Sequence, residues 1–245
     1  MRMIPYLKMT PVLLLWLMGA SAFLWGQPDK QSGLIPLPEP ELKGNVSVES
    51  ALQSRRSIRQ YKDTSISIKM LGQILWAAQG ITEKHPSPPG FWGGRDWPGG
   101  LRTAPSAGAL YPLDIYIAAG NIEDLPPGIY HYLPGKHALE QKAEGDHRRA
   151  LSRAALGQSP VREGAAVLII SGVYARCAAK YGDRAPRYTH IETGHVGQNI
   201  YLQAESMGLG TVMVGAFKDK QVQSVLGLGK DKIPLALMPI GRKHP

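Results

Sequence analysis

The chain has 245 residues, 43% hydrophobic and 19% charged, which is globular usage and implies a real core in one large domain or two small ones. Its 28 Lys+Arg against 19 Asp+Glu give +9, but the basic residues are scattered in doublets such as Arg55-Arg56 and Arg148-Arg149. That pattern favours anionic small ligands or an acidic surface over nucleic acid. Cys177 is the only cysteine, which excludes an intramolecular disulfide framework and a multi-cysteine zinc site.

Arg2 and Lys8 precede a run from Met9 to Pro28 that carries no charge. Residues 1–26 are therefore expected to be an export signal or an N-terminal membrane anchor through residues 9–26, placing the protein in the periplasm or outside the cell. Ala20-Ser21-Ala22 suits signal cleavage, whereas Phe23-Leu24-Trp25 suits an uncleaved anchor. Residues 27–45, with Pro28, Pro36, Pro38 and Pro40, read as an extended linker, and residues 46–245 as the folded domain.

Val46 to Arg56 begins the domain with an amphipathic start that runs into Arg55-Arg56-Ser57-Ile58-Arg59. Guanidinium forks and a serine hydroxyl in one short segment can hold a phosphate; a solvated basic helix end is the alternative. A helix is expected over 67–79, with Ser67 at its N-cap, Leu71, Ile74, Leu75 and Ala78 on one face, and Gly80 as its stop. Residues 82–101 are rich in Pro, Gly and Trp, and read as a loop serving as a lid or as a surface excursion.

Small residues then cluster between two prolines from Arg102 to Pro112, so the backbone can approach a planar ligand with its amides free to donate; an ordinary small-residue turn before a strand is the alternative. The run 113–119 supplies a strand with Ile115 and Ile117 on one face and Tyr116 on the other. Further along come a strand pair at 128–133 and 137–140 joined by Pro134-Gly135, a polar helix at 146–156, and a continuous apolar strand at 165–171. A long helix from Tyr188 to Ser206 includes Gly194 and Gly197, glycines that mark close approach of another backbone.

Metal and nucleotide motifs fail. His190 and His195 are five apart, about 140° around a helix, so with Glu192 they do not converge on zinc. Gly208-Leu209-Gly210 lacks the third glycine of a dinucleotide turn, and Gly229-Lys230 lacks the upstream glycine of a phosphate loop. A short helix at 219–226 and a strand at 234–241 close the chain.

Four segments in one order carry a family resemblance: Arg55 to Arg59, Pro105 to Pro112, Arg187-Tyr188 through Glu192 and His195 to Gln198-Asn199, and Gly208 to Phe217. Together they resemble the nitroreductase superfamily, most closely its SagB-type branch, which includes FMN-dependent azoline dehydrogenases. The resemblance implies an α+β fold, a three-layer α/β/α arrangement with a central, mostly antiparallel sheet flanked by helices. It implies an intertwined homodimer binding FMN, with Arg55, Arg56, Ser57 and Arg59 on the phosphate and ribityl side. Pro105, Ser106, Ala107 and Gly108 are then the flavin-contacting turn, and Gly215 and Ala216 lie near the reactive edge of the ring. The chain stops at Gly241-Arg242-Lys243-His244-Pro245, so Arg242 or Lys243 stands in for the family's C-terminal phosphate ligand, and Arg102 is either a flavin ligand or a tie to the loop. Lys180-Tyr181 is similar to a pair assigned to proton transfer in azoline oxidation, where a desolvated lysine is a competent base; a solvated lysine at a helix end is the alternative. The implied activity is hydride transfer through flavin N5 to or from a small-molecule or peptide substrate. The alternatives are a non-catalytic flavin- or peptide-binding module of the same fold, and an anchored partner-binding protein.

Overall fold

The computed structural model describes residues 33–84 and 100–244. In chain order the first half holds β1 (Leu34–Pro36), α1 (Val48–Ser54), β2 (Ile66–Ser67), α2 (Ile68–Gln79), β3 (Ile81–Lys84), β4 (Gly100–Arg102), β5 (Leu113–Ala119), β6 (Ile122–Glu123) and β7 (Gly128–Leu133). The second half holds β8 (Ala138–Glu144), α3 (Arg148–Ala154), α4 (Ser159–Glu163), β9 (Ala166–Gly172), α5 (Tyr174–Tyr181), α6 (Ala185–Ser206), β10 (Leu209–Thr211), α7 (Asp219–Leu226) and β11 (Ile233–Arg242). Seven strands form one sheet in the order β1-β8-β7-β5-β9-β11-β10, and every neighbouring pair in it is antiparallel.

The continuous apolar run of β9 follows from burial on both faces, since successive side chains of a strand point to opposite sides. Leu168 and Ile170 pack into one cluster with Leu71, Ile74 and Leu75 of α2 and Val196 and Ile200 of α6. Val167 and Ile169 pack into the other with Leu151 of α3, Val161 of α4, and Val222 and Leu226 of α7. Strand β5 divides the same way, Ile115 and Ile117 to the first cluster and Tyr116 and Ala118 to the second. The result is the expected α+β arrangement in three layers, helix, sheet, helix.

Helix α2 begins and ends where its sequence says: the Ser67 hydroxyl accepts from the Met70 amide at 3.3 Å, and Gly80 closes it by donating to the Trp76 carbonyl at 2.6 Å. Several other boundaries differ from expectation. Leu34–Pro36, inside the proline-rich stretch, pairs with β8 as an edge strand, where Pro36 is tolerated. The two ends of the expected 82–101 loop pair as β3 and β4, and the lid itself, residues 85–99, lies outside the described residues. His137 is not a strand residue: it sits at a left-handed φ of 43°, and its ring nitrogens bond Tyr132 Oη at 2.9 Å and the Pro38 carbonyl at 3.0 Å. Asp146 precedes α3 and accepts from the Arg148 amide at 3.0 Å. Helix α6 starts three residues earlier than expected, at Ala185, with Pro186 in its first turn, where a fixed φ and a missing amide fit. No helix among the described residues is long and apolar enough to cross a membrane, and the expected signal or anchor, residues 1–26, lies outside them.

The arginine-serine segment is docked on the sheet edge by two glycines. Gly210 of β10 pairs with Gly241 of β11. A Cβ on Gly210 would lie 2.7 Å from Ile58 Cγ2, and one on Gly241 would lie 2.8 Å from Tyr61 Cβ and Cγ. The chain therefore needs bare backbone there for residues 57–61 to lie flat. Gly241→Val is expected to destabilise the protein by about 1–3 kcal/mol through overpacking, read as a lower urea midpoint, while the same change at open Gly194 leaves packing untouched.

Candidate functional site

The first group of candidate residues surrounds Tyr201 of α6. The Ile58 amide donates to the Thr211 carbonyl at 2.9 Å, and Ser57 bridges Thr211, so the segment adds a parallel rung beside β10. Ser57 Oγ lies 3.2 Å from Tyr201 Oη, which also accepts the Met213 amide at 2.8 Å. The Arg55 guanidinium sits 5.2 Å from the Tyr201 ring centroid, a cation–π distance. Arg56 Nη1 donates to the carbonyls of Gln53 and Arg55 at 2.9 and 2.8 Å, and Arg59 Nη1 to that of Ser57 at 3.4 Å. Among the described residues no carboxylate pairs with Arg55, Arg56 or Arg59.

The second group is the turn from Pro105 to Tyr111. It is tightly wound: Gly108, Ala109 and Tyr111 all have positive φ, at 62°, 53° and 44°. Ala109 donates to the Ser106 carbonyl at 3.1 Å, and the Tyr111 amide to Ser106 Oγ at 2.9 Å. Non-glycine residues in the left-handed region carry strain that the surroundings must hold, and such strain concentrates at ligand sites. Glycine at 108 has a second reason: a Cβ there would lie 3.0 Å from Tyr181 Oη and 3.2 Å from Lys180 Nζ. The turn and the Lys180-Tyr181 pair, over seventy residues apart in sequence, are thus brought face to face. Tyr181 in turn meets Tyr188 edge-on at 4.8 Å, over a small apolar cluster of Leu110, Cys177 and Ala185. Lys180 itself is exposed, so the described residues do not supply the expected desolvation.

Other candidates stand apart. Gly215 and Ala216 are exposed, with the Ala216 carbonyl accepting from Gln158 Nε2 at 2.9 Å. Arg242 does not join the arginine group through any bond: its Nε donates to the Ser65 carbonyl at 3.1 Å and its Nη2 faces Met70 Sδ at 4.0 Å. Lys243 pairs with Glu205 at 2.5 Å. Both C-terminal cations are therefore engaged in holding the fold. His190 bonds Tyr174 Oη at 2.7 Å, His195 is exposed, and Glu192 is buried. Of the two helix glycines, Gly197 is the close approach, with Met213 Cε 2.0 Å from where its Cβ would be. A hollow of about 680 Å³ between residues 41–48, α2 and α6 contains none of the candidate residues.

Two side chains take their roles only from the fold. Tyr201 anchors the serine segment, and Glu192, 2% exposed, lies under the turn. Glu192 was visible as a carboxylate in register with Val196, Ile200 and Ala204, a four-residue spacing that runs down the buried stripe of α6. Burial pushes its carboxyl up to about 7 against the opposing influence of Ser106, Arg102 and Gln79. Burial likewise pulls the Arg102 guanidinium down to about 10.

Glu192 and Tyr201 are nine residues apart, about 13 Å along α6, so one helix carries both candidate groups. Unpaired guanidinium groups beside a hydroxyl, with Thr211 Oγ1 buried and without a partner across from Ser57, fit a phosphate monoester. A strained, small-residue turn fits a flat ring. A ligand anionic at one end and planar at the other, as a flavin mononucleotide is, fits the two groups together. The chain belongs to the Nitroreductase family, whose model matches residues 52–242. Among curated proteins it is 39% identical over 209 residues to "Putative nitroreductase MJ1384" of Methanocaldococcus jannaschii, covering 85% of this chain and 96% of that one. It is 31% identical over 152 residues to the microcin B17-processing protein McbC of Escherichia coli, 59% of this chain and 56% of that protein. Among solved structures, a "putative nitroreductase" from Ralstonia eutropha JMP134 superposes with a TM-score of 0.69 at 26% identity, covering 88% and 92% of the two chains.

Proposed function

We propose that this chain is an FMN-dependent oxidoreductase of the SagB type, working as an exported homodimer on a small-molecule or peptide substrate. When bound, FMN supplies a hydride acceptor or donor at N5. Arg55, Arg56, Ser57 and Arg59 hold its phosphate side, and the turn Pro105–Gly108 lines its ring with backbone. Lys180 and Tyr181, standing against Gly108, take or return the proton of the substrate atom next to the one that exchanges hydride. The observation that carries this reading is that contact between the turn and the Lys180-Tyr181 pair. The likeness to McbC, a microcin-processing protein, supports a peptide as the substrate class, and the SagB-type resemblance narrows it to an azoline-bearing one.

Exposed apolar side chains support the dimer. Leu42, Val46, Val48 and Leu52 are 75, 41, 62 and 51% exposed at one end of the fold, and Ile191 on α6 is 49% exposed beside open Gly194. The uncharged run at 9–26, behind Arg2 and Lys8, supports export.

The test is the visible spectrum of the full-length protein purified in detergent and incubated with FMN. A retained flavin band is expected, and its absence would sink the proposal. Lys180→Ala should keep that band while anaerobic bleaching by an azoline-bearing peptide slows by about 10²-fold or more, the scale of a lost general base. Unchanged bleaching removes Lys180 from its role. A flavin that binds but no donor bleaches points instead to a non-catalytic flavin-binding module.

A further inference from the structure

The turn is held from beneath by a closed ring of side chains. Arg102, on β4, lies 4.5 Å over the Tyr111 ring and donates from Nη1 to Gln79 Oε1 at 2.7 Å. Gln79, at the end of α2 and fully buried, donates from Nε2 towards Glu192 Oε1 at 3.5 Å. The Ser106 hydroxyl is a further hydrogen-bonding neighbour of that carboxyl. Ser106 Oγ accepts the Tyr111 amide at 2.9 Å, and Tyr111 Oη accepts the Arg102 amide at 3.2 Å, which closes the ring. Inside it two buried polar atoms have no partner, Arg102 Nε and Glu192 Oε2.

We propose that Glu192 is the positioning residue of the Pro105–Tyr111 turn, acting through Ser106 and Gln79 to set Gly108 against Lys180 and Tyr181. The bonds from Gln79 and Ser106 can reach either form of the carboxyl, and what its proton decides is whether the facing guanidinium is drawn in. Arg102 is the cation facing it, while Tyr111 at the end of the turn and Cys177 on α5 are the other titratable groups that feel its charge. Ionised, Glu192 becomes an acceptor for the unpartnered Arg102 Nε, and a direct ion pair draws the guanidinium away from Gln79 and off the Tyr111 ring. Ser106 then loses the geometry that fixes the Tyr111 amide. Because burial holds the carboxyl at about 7, this rearrangement falls in the physiological range. Its meaning for catalysis rests on the flavin reading above; the lock itself does not.

The experiment is hydrogen exchange of the peptide covering 104–111 in the full-length apo protein, from pH 6 to 8, corrected for intrinsic exchange. Wild type is expected to lose protection with a midpoint near pH 7, whereas Glu192→Gln, which is uncharged throughout, keeps it. A flat profile in wild type, or the same pH response in Glu192→Gln, overturns the proposal, and a purely structural glutamate would give one of those results. FMN titrations at pH 6 and 8 form the second arm, with affinity expected to weaken about tenfold in wild type and to hold in the variant. If exchange follows pH but neither protein binds FMN, the lock stands and the flavin reading falls. If FMN binds while exchange stays flat, the lock falls and the flavin reading stands.

Discussion

Asp114→Ala is expected to lower the stability of the protein by about 3 kcal/mol at pH 7, read from urea unfolding. Asp114 lies on β5 with its side chain 10% exposed, and takes Arg176 as a fork, Nη1 to Oδ1 at 2.8 Å and Nη2 to Oδ2 at 3.3 Å. Lys232 stands 3.5 Å from Oδ2 and donates to Tyr116 Oη at 2.7 Å, while the Tyr116 ring stacks on His131 at 4.7 Å. Removing the carboxylate leaves two cations, 32 and 29% exposed, facing each other across the space it filled, so their repulsion adds to the loss of the pair. Burial alone would raise the Asp114 carboxyl, but Arg176, with His131 and Lys232, more than offsets it and holds the group below its ordinary value. A lowered carboxylate pKa stabilises the folded state above the unfolded pKa and ceases to do so as pH falls through the folded one. The deficit of Asp114→Ala relative to wild type should therefore shrink below about pH 4, and a deficit under about 1 kcal/mol at pH 7 would contradict the account. The effect reaches the candidate site, because Arg176 also donates to the Tyr111 carbonyl at 3.4 Å and sits one helical turn before Lys180 on α5.

The sheet core was legible because its signals are local and repeated. Strand β5 could be read to the residue, since alternation assigns Ile115 and Tyr116 to opposite faces whatever they meet there. Helix α2 was bounded by Ser67 and Gly80, residues whose capping chemistry acts within one turn. What failed depends on distant partners. Strand β1 exists because β8 offers it an edge, and no pattern within Leu34–Pro36 announces that. Strands β3 and β4 pair across a stretch whose composition reads as loop from end to end.

The site divides along the same line. Arg55 to Arg59 and Pro105 to Gly108 stand out by residue type, since few segments concentrate guanidinium groups or small residues in this way. Their placement does not follow from type: Tyr201 under Ser57, and Lys180 with Tyr181 against Gly108, are products of how α5 and α6 pack. Arg242 shows the converse, a residue of suitable chemistry that the fold engages at the Ser65 carbonyl. Glu192 is the sharpest case. Its neighbours His190 and His195 do not converge with it on a metal, whereas its position on the buried stripe with Val196 and Ile200 marks it as an ionisable group inside a core. A carboxyl in that position is retained against its burial cost only where its hydrogen bonds are used.

That burial makes a second, large effect measurable without any ligand. Glu192→Gln is expected to stabilise the protein at pH 8 by up to about 3 kcal/mol while changing little at pH 4.5, because the group's pKa is raised on folding from its ordinary 4.5 to about 7. Between those values the folded state holds a proton the unfolded state has released, so stability falls as pH rises through the interval, by about 1.36 kcal/mol per pH unit. Below it both states are protonated and the difference vanishes. Glutamine keeps the acceptor for Gln79 and carries no charge, so the variant follows the neutral acid at every pH. The difference in melting temperature between variant and wild type should grow from near zero at pH 4.5 to roughly 5–10 °C at pH 8. Equal differences at the two pH values would mean that Glu192 does not titrate in the folded protein. With Arg102 Nε and Glu192 Oε2 both buried and unpartnered, the same proton then governs two observables, the melting temperature of the whole domain and the exchange of the turn beside Lys180. Agreement of their midpoints would tie the stability of this fold to the geometry of its candidate site.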